Sequence, residues 1–196
     1  MSKLIHEQLS YQVRGVLFDV YNSLGPLLPE KYYTEAIEIG LKDKNIRCEI
    51  EKPFEVFYQD SRVGLYYVDV WIENGNLILE NKVSPEISDL HRAQAISYLK
   101  VTDADLAFLV NFGGSSLDIA RLPNFLRDRK ANFDWNPSLP SEGLMYQELT
   151  NSIMEACNRV HYELGPGFLH QVYRRATMIE LSQSRINYTY IKHLPV

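Results

Sequence analysis

The chain has 196 residues, of which 45% are hydrophobic and 23% are charged, and its formal net charge is −5. This length suits one domain, or one domain with part of a second, and the composition is typical of a soluble globular protein. The acidic balance argues against tight, unspecific nucleic-acid binding by the whole surface. It leaves room for a local basic groove or for a carboxylate site that a cation would neutralise.

Targeting and redox features predict a cytoplasmic protein that does not associate with a membrane. No apolar run is long enough to span a bilayer, and the N-terminal residues lack the apolar segment of a signal peptide. Cys48 and Cys157 lie far apart in the sequence and form no metal-binding pattern, so we expect a reducing compartment.

Two helices come first in the predicted order of elements, and five strands follow, with a third helix between the third and fourth strands. Apolar residues at helical spacing predict a helix over 9–21, and Pro29 suits the first turn of a second helix that ends within 42–45. A third helix, capped by Ser88 or Asp89, is expected to run to Lys100. Strands are expected where apolar residues lie between turn signals, at 50–58, 63–72, 77–83, 106–112 and 117–122.

The composition changes after residue 122. Residues 123–146 combine three prolines with small polar residues, which predicts a linker after a domain formed by 1–122. A basic run that includes Arg121 and Arg127 could contact phosphate, but its interspersed acids favour a solvated face.

The chain then repeats itself at a fixed shift of 140 residues. Leu24-Gly25-Pro26 falls on Leu164-Gly165-Pro166, and apolar positions before and after it also coincide. Residues 147–196 are therefore predicted to be a truncated repeat, with helices over 147–162 and 168–184 and a possible strand over 188–192. Such a fragment could pack on the first domain, swap into a neighbouring chain or stay partly unfolded.

Three charged residues stand among apolar ones in the hairpin predicted around Asn74-Gly75. Asp69 lies on its first strand, while Glu80 and Lys82 share one face of the second. Burying these charges is costly unless they serve one another or a metal. Two carboxylates can bind a divalent cation such as magnesium, and a lysine can stabilise charge on a phosphate. On these residues alone, an ordinary buried ion pair is the simpler interpretation.

Further motifs surround this hairpin. In chain order they are Leu24-Gly25-Pro26-Leu27-Leu28-Pro29-Glu30-Lys31-Tyr32-Tyr33, Gly64 before Asp69, Glu80-Asn81-Lys82, His91-Arg92-Ala93-Gln94 with Tyr98-Leu99-Lys100, and Leu109-Val110-Asn111-Phe112-Gly113. With them the chain resembles the GxxExxY proteins of the PD-(D/E)xK nuclease superfamily, over 9–122 and partly over 149–196. The resemblance implies an α/β fold of restriction-endonuclease-like architecture, with a mixed sheet flanked by helices and a C-terminal helical partial repeat.

The resemblance also implies a catalytic site. Asp69 and Glu80 would be metal ligands, with the backbone carbonyl of Asn81 as a third, and Lys82 would be the catalytic lysine. The expected cofactor is Mg²⁺ or Mn²⁺. The expected reaction is metal-dependent hydrolysis of phosphodiester bonds in nucleic acid, with DNA as the expected partner.

Three more residues receive roles from the resemblance. Glu30 would be an accessory acid on the second helix, and Gln94 a catalytic polar group on a later helix that orients water or substrate. Tyr33 shares a helical face with Glu30, so its hydroxyl could hold that carboxylate or bind a substrate phosphate. There are two departures from the family pattern. Leu27 occupies the name-giving glycine position, and His170 replaces the glutamate in the second copy, where we therefore expect no metal.

Other interpretations stay open at this point. The acidic balance and the truncated repeat favour, as the main alternative, a non-catalytic nucleic-acid-binding or assembly module derived from a nuclease fold. A helix pair without its own sheet also invites homodimerisation. A degraded tandem duplication with little activity is the third possibility. His91, at the start of a helix, is more typical of a capping residue than of a ligand.

Overall fold

The structure is a computed structural model, and it describes residues 4–127 and 145–191. Among these residues the helices are α1 (Glu7–Leu24), α2 (Glu30–Asp43), α3 (Asp89–Thr102), α4 (Gln147–Leu164) and α5 (His170–Gln183). The strands are β1 (Cys48–Tyr58), β2 (Ser61–Ile72), β3 (Leu77–Lys82), β4 (Leu106–Asn111) and β5 (Asp118–Pro123). The predicted α/β fold, a mixed sheet flanked by helices, is confirmed.

The described strands form one sheet in the order β1-β2-β3-β4-β5. Only the β3–β4 pair is parallel, and α3 provides the crossover that a parallel pair requires. β3 and β4 are almost entirely buried because helices cover both faces of the sheet. The apolar runs 77–79 and 106–110 therefore suit the two central strands.

One face of the sheet is covered by α1 and α2. Leu17 of α1 and Ile37 of α2 are fully buried and share an apolar core with Leu79 of β3 and Phe108 of β4. Burying each such side chain contributes about 1.5–3 kcal/mol. This core holds α2, and with it Glu30, against the central strands.

The other face is covered by α3, α4 and α5. Val160 and Leu164 of α4 share an apolar core with Val172 and Ala176 of α5 and with Tyr66 of β2. The C-terminal helix pair thus packs on the sheet of its own chain, which is the first of the three expected arrangements. Homodimerisation through this pair stays a prediction.

A buried polar network joins the helix pair to the end of β1. Glu180 of α5 is 3% exposed and accepts hydrogen bonds from the hydroxyl of Tyr58 (2.5 Å), the side-chain amide of Gln59 (2.9 Å) and Nε of Arg159 (2.6 Å). Burial, and then the bond to Glu180, raises the pKa of the Tyr58 hydroxyl, so this hydroxyl stays a donor. A buried carboxylate is tolerated only when it is paired in this way, so the network fixes the position of α5 on β1.

The two helix pairs have the same geometry at the shift of 140 residues. Each end of α4 and α5 coincides with the corresponding end of α1 and α2. The Tyr33 hydroxyl donates a hydrogen bond to the Gly25 carbonyl at 2.7 Å, and Tyr173 donates to Gly165 at the same distance. Gly25 and Gly165 have φ angles of 70° and 63°, which glycine adopts most readily.

The strand expected over 188–192 is wrong for the part that is described. Residues 188–191 form no strand, and Tyr188, Tyr190 and Ile191 are 41%, 46% and 59% exposed. In the first half, β1 forms by pairing with β2, whereas after α5 no second strand follows in the described residues. Lys192 lies outside the described residues.

Most of the predicted linker, 123–146, also lies outside the described residues, and the division of the chain at 122 and 146 stays a prediction. Of its basic run, Arg127 forms ion pairs with Asp103 and Asp105, so its charge is already neutralised. Among the residues that the structure describes, no helix is long and apolar enough to cross a membrane.

Candidate functional site

The predicted charged residues meet where β2 and β3 separate. These strands pair only across 70–72 and 77–79, and continuing the register by one residue places Asp69 opposite Glu80. There the N–H of Asn81 donates to Oδ2 of Asp69 at 2.7 Å in place of a bond between the two backbones. β2 then continues beside β1, and β3 beside β4. The fork, as we name this point, consists of Asp69, Glu80, Asn81 and Lys82.

The turn between the two strands fixes the register of the fork. Asn74 and Gly75 have φ angles of 57° and 95°, a conformation that asparagine and glycine tolerate best. A Cβ atom at Gly75 would collide with the ring of Trp71, so the position also needs glycine for space. A slip of one residue would turn Glu80 to the other face of the sheet and dismantle the site.

Glu80 is the most deeply buried charge of the fork, at 1% exposure. Its Oε1 forms an ion pair with Nζ of Lys82, which lies two residues further along the same face. Its Oε2 is buried and has no hydrogen-bond partner among the described residues. A buried polar atom left unpaired costs about 1–3 kcal/mol, and such an exception needs a cause, for example a functional role or a bound ion.

When no cation is present, the environment of the fork raises the pKa values of both of its carboxyl groups. Burial raises the pKa of Asp69 to about 6, against the lowering effect of the Asn81 N–H. Burial, and then the charge of Asp69, raise the pKa of Glu80 to about 8. Burial lowers the pKa of Lys82, but the charge and the bond of Glu80 keep it above its ordinary value. Lys82 is therefore positively charged at neutral pH.

On its α2 side the fork is bordered by Glu30 and Thr34. Oε1 of Glu30 accepts a hydrogen bond from the N–H of Val83 (3.2 Å), so this exposed carboxylate lies beside the end of β3 as expected. The buried side chain of Asn81 donates to Oγ1 of Thr34 at 3.0 Å. Sequence reasoning missed Thr34, although its spacing of four residues from Glu30 places both on one helical face.

The structure does not bring the Tyr33 hydroxyl to Glu30, and substrate binding by Tyr33 stays a prediction. Its side chain is fully buried, and its hydroxyl donates to the Gly25 carbonyl and accepts from the N–H of Leu28 (3.0 Å). Its ring stacks on Phe112 with the centroids 4.1 Å apart. Packing against Phe112 thus turns Tyr33 into the core, where it closes the loop between α1 and α2.

The polar residues of α3 that were considered for the site are bonded to each other. Nε2 of Gln94 donates to the Tyr98 hydroxyl at 3.0 Å. Burial, and then the charge of Glu80, raise the pKa of the Tyr98 hydroxyl. Sequence reasoning gave Tyr98 no role in the site. His91 exchanges hydrogen bonds with Ser88 in a capping box at the start of α3, which is the role that its position favoured.

The donor set of the fork fits a hard divalent cation. Asp69 and Glu80 supply carboxylate oxygens, and the unpartnered Oε2 of Glu80 is one that a cation would satisfy. No group of three or more His, Cys, Asp or Glu residues suited to a metal occurs within 4–127 and 145–191. Two carboxylates with water and a backbone carbonyl match the way magnesium is usually held, since this ion keeps several of its waters.

The comparisons with known proteins identify a family. A family model described as the PD-(D/E)XK nuclease superfamily matches residues 7–122 and 147–196. No curated protein matches the chain. A solved structure entitled "Crystal structure of SSO0001" is 17% identical and aligns over 61% of this chain and 79% of that one, but its TM-score of 0.32 is too low to support any argument. Because the family model matches well over half of the sequence, the chain belongs to the PD-(D/E)XK nuclease superfamily.

Proposed function

We propose that this protein is a metal-dependent nuclease that hydrolyses phosphodiester bonds at the fork, with DNA as its substrate. The observation that carries the proposal is the buried, unpartnered Oε2 of Glu80 beside Asp69 and Lys82. Membership of the PD-(D/E)XK nuclease superfamily supports nuclease-type activity and nucleic-acid binding, and nucleases of this superfamily typically use divalent metals.

Asp69 and Glu80 would hold the cation, and the carbonyl of Asn81 would be its third protein ligand. When bound, Mg²⁺ or Mn²⁺ lowers the pKa of water and neutralises charge on a phosphodiester. The bond from the Asn81 N–H already fixes one oxygen of Asp69, so this carboxylate is held in position before a ligand arrives.

Lys82 is the group that we assign to stabilising the developing charge. Its ammonium is charged at neutral pH and is held at the fork by Glu80. A positive charge fixed in a poorly solvated site can stabilise the additional negative charge on a phosphate in the transition state. Gln94 would orient water or substrate through its amide, and Glu30 would act as an accessory acid at the open side of the fork.

We further propose that the chain is a GxxExxY-type member of the superfamily whose C-terminal helix pair arose by duplication of α1 and α2. The coincidence of all four helix ends at one shift supports the duplication. The repeated tyrosine–glycine bond within each pair supports it as well.

The test is cleavage of single-stranded and duplex DNA and RNA by the purified full chain, with Mg²⁺ or Mn²⁺ and with EDTA. We expect metal-dependent cleavage that Lys82→Ala and Asp69→Asn each reduce by at least about 100-fold, the usual effect of removing one electrostatic stabiliser. Lys44→Ala and Asp60→Asn are matched controls, because Lys44 lies just beyond the C-terminal end of α2 and Asp60 in the turn between β1 and β2, and both are exposed. They should retain the activity of the unmodified chain.

Activity that survives in Lys82→Ala or Asp69→Asn would exclude the fork as the catalytic site. Absence of cleavage under all of these conditions, together with retained nucleic-acid binding, would instead support the non-catalytic binding module.

A further inference from the structure

A groove lies between α3, α5 and β2. It has a volume of about 410 Å³, and α5 contributes Gln171, Val172 and Arg175 to its wall. Gln94 and Tyr98 of α3 line it as well. We refer to this feature as the α5 groove. Because β2 forms part of its wall and also carries Asp69, a chain-like ligand in the groove could extend along β2 towards the fork.

The α5 groove forms where one edge of β2 is not paired with β3. β2 pairs with β3 only over 70–72, so residues 63–67, which line the groove, have β1 alone as a partner strand. The hydroxyl of Ser97 donates to the Tyr66 hydroxyl (2.8 Å) and accepts from the N–H of Leu169 (3.3 Å). This buried residue therefore links all three elements, so the groove is a fixed feature of the packing.

Arg175 gives the groove a positive charge that no carboxylate neutralises. Its Nη1 donates to the Val63 carbonyl at 3.1 Å, which anchors the exposed side chain without cancelling its charge. Within the described residues Arg175 forms no ion pair, whereas Arg62, Arg127 and Arg159 all pair with carboxylates. An anchored guanidinium with free N–H groups is suited to a phosphate oxygen.

The second helix pair differs in charge from the first at two corresponding positions of α2 and α5. Glu30 of α2 corresponds to His170 of α5, and Glu35 corresponds to Arg175. Glu30 therefore places a carboxylate beside the fork in the first pair, whereas Arg175 places a cation in the α5 groove in the second. This difference suits a fork that accommodates a cation and a groove that accommodates an anion.

We propose that the α5 groove binds the sugar–phosphate backbone of a single nucleic-acid strand, with Arg175 contacting a phosphate and Gln171 donating a hydrogen bond beside it. A duplex would need several cations over a wide face, whereas the described part of this groove offers one free arginine. Tyr67 also lines the groove and is 54% exposed, so its ring is available for a base to stack on. The direction of the strand, towards the fork, rests on the proposed nuclease function, but binding in the groove can be tested without cleavage.

The test measures the fluorescence anisotropy of a labelled single-stranded oligonucleotide in EDTA, with the full chain at several salt concentrations. Arg175→Ala should weaken binding about tenfold, the loss expected for one charge-assisted hydrogen bond to phosphate. It should also reduce the slope of log K against log salt by about 0.7, since one phosphate contact is lost. Arg185→Ala removes an exposed arginine that does not line the groove and is the matched control.

Gln171→Glu provides a second variant, because Gln171 is exposed and its substitution leaves the core intact. The added carboxylate should repel the strand and weaken binding, while thermal unfolding stays unchanged. Unaltered affinity in both Arg175→Ala and Gln171→Glu would overturn the proposal. Tighter binding of a duplex, or Arg175-dependent binding of polyglutamate at equal strength, would also overturn it. Binding that depends on Arg175 in a chain that cleaves nothing would support this inference and refute the proposed nuclease function.

Discussion

The two helix pairs share one backbone but contact different surroundings. The pair α1–α2 packs on the central strands and presents Glu30 and Thr34 to the fork. The pair α4–α5 packs on the opposite face and uses Glu180 to bind the end of β1. The local sequence therefore determines the geometry of a helix pair. What the pair does depends on a few polar positions and on the strands that it meets.

The contact between the two helices of each pair shows how the same backbone geometry accommodates different side chains. A Cβ atom at Gly40 of α2 would approach Cγ1 of Val16 to 2.7 Å. At the shift of 140 these positions become Glu180 and Ala156. In the first pair the small residue is on the second helix, whereas in the second pair the smaller residue, Ala156, is on the first helix. Therefore α5 can carry a long polar side chain at the position where α2 requires glycine.

The largest effect on stability should come from breaking the contact that is unique to the second pair. Glu180→Ala would leave the buried Tyr58 hydroxyl without its acceptor and Arg159 without one partner. We expect the free energy of unfolding to fall by about 3 kcal/mol. Urea denaturation measures this quantity. Glu38→Ala is a suitable control, since its ion pair with Lys42 is at the surface and contributes less than about 1 kcal/mol.

A smaller loss in Glu180→Ala than in its control would mean that the second pair does not depend on this network. It would then be held by its apolar residues alone.

A pH titration examines the buried charge that lies next to the first pair. The folded-state pKa of Glu80, about 8, exceeds its ordinary value of 4.5. The folded chain therefore binds a proton that the unfolded chain has already released, and stability falls as pH rises from about 4.5 to 8. Glu80→Gln should remove the part of this dependence above about pH 6, whereas Asp69, whose pKa is raised to about 6, still lowers stability as pH rises towards that value. The advantage of Glu80→Gln over the unmodified chain should grow with pH up to about 8, by at most about 1.4 kcal/mol per pH unit.

Manganese should oppose this loss, because a cation that binds the folded state alone stabilises it. Its effect should be largest above pH 8 and absent in Glu80→Gln. Urea denaturation at pH 5.5, 7 and 8.5 gives the comparison, with the exposed Glu35→Gln as a control. An identical pH profile in Glu80→Gln would show that Glu80 is ionised in the fold at all of these pH values.

The smallest effect on the free energy of unfolding should come from removing one tyrosine hydroxyl, and it should be equal in the two helix pairs. Tyr33→Phe and Tyr173→Phe each remove the hydroxyl that bonds the glycine carbonyl between the helices. Each should lower the free energy of unfolding by about 1 kcal/mol. The Tyr33 change should also leave catalysis intact, since its hydroxyl does not reach the fork. Loss of activity without loss of stability in Tyr33→Phe would support the substrate-binding role predicted for this residue.

The sequence was sufficient for the strands, because apolar runs and turn signals delimit them within two residues of their observed ends. The mixed pairing of these strands was implied by the family resemblance alone. The sequence was also sufficient to bring Asp69 near Glu80, since the turn at Asn74-Gly75 determines which residues of the hairpin oppose one another. It was insufficient for Tyr33, whose helical spacing from Glu30 gave no sign of the aromatic stacking that turns it inward.

The α5 groove could not have been predicted. It depends on how residues about 100 positions apart pack together, and sequence periodicity describes only the face of each separate element. The bond from Asn81 to Asp69 was hidden for a related reason: it exists only because β2 and β3 separate at that point.

The apolar core shared by α4, α5 and β2 has a consequence for cooperativity. Val63 and Tyr66 of β2 are buried in the same core as Val160 and Val172 of the C-terminal helices. A chain that ended at residue 122 would expose this face of its sheet to water and to other chains, which favours aggregation. The strands that carry the fork and the C-terminal helices are therefore expected to unfold in a single transition, although the residues of the fork all come from the first half.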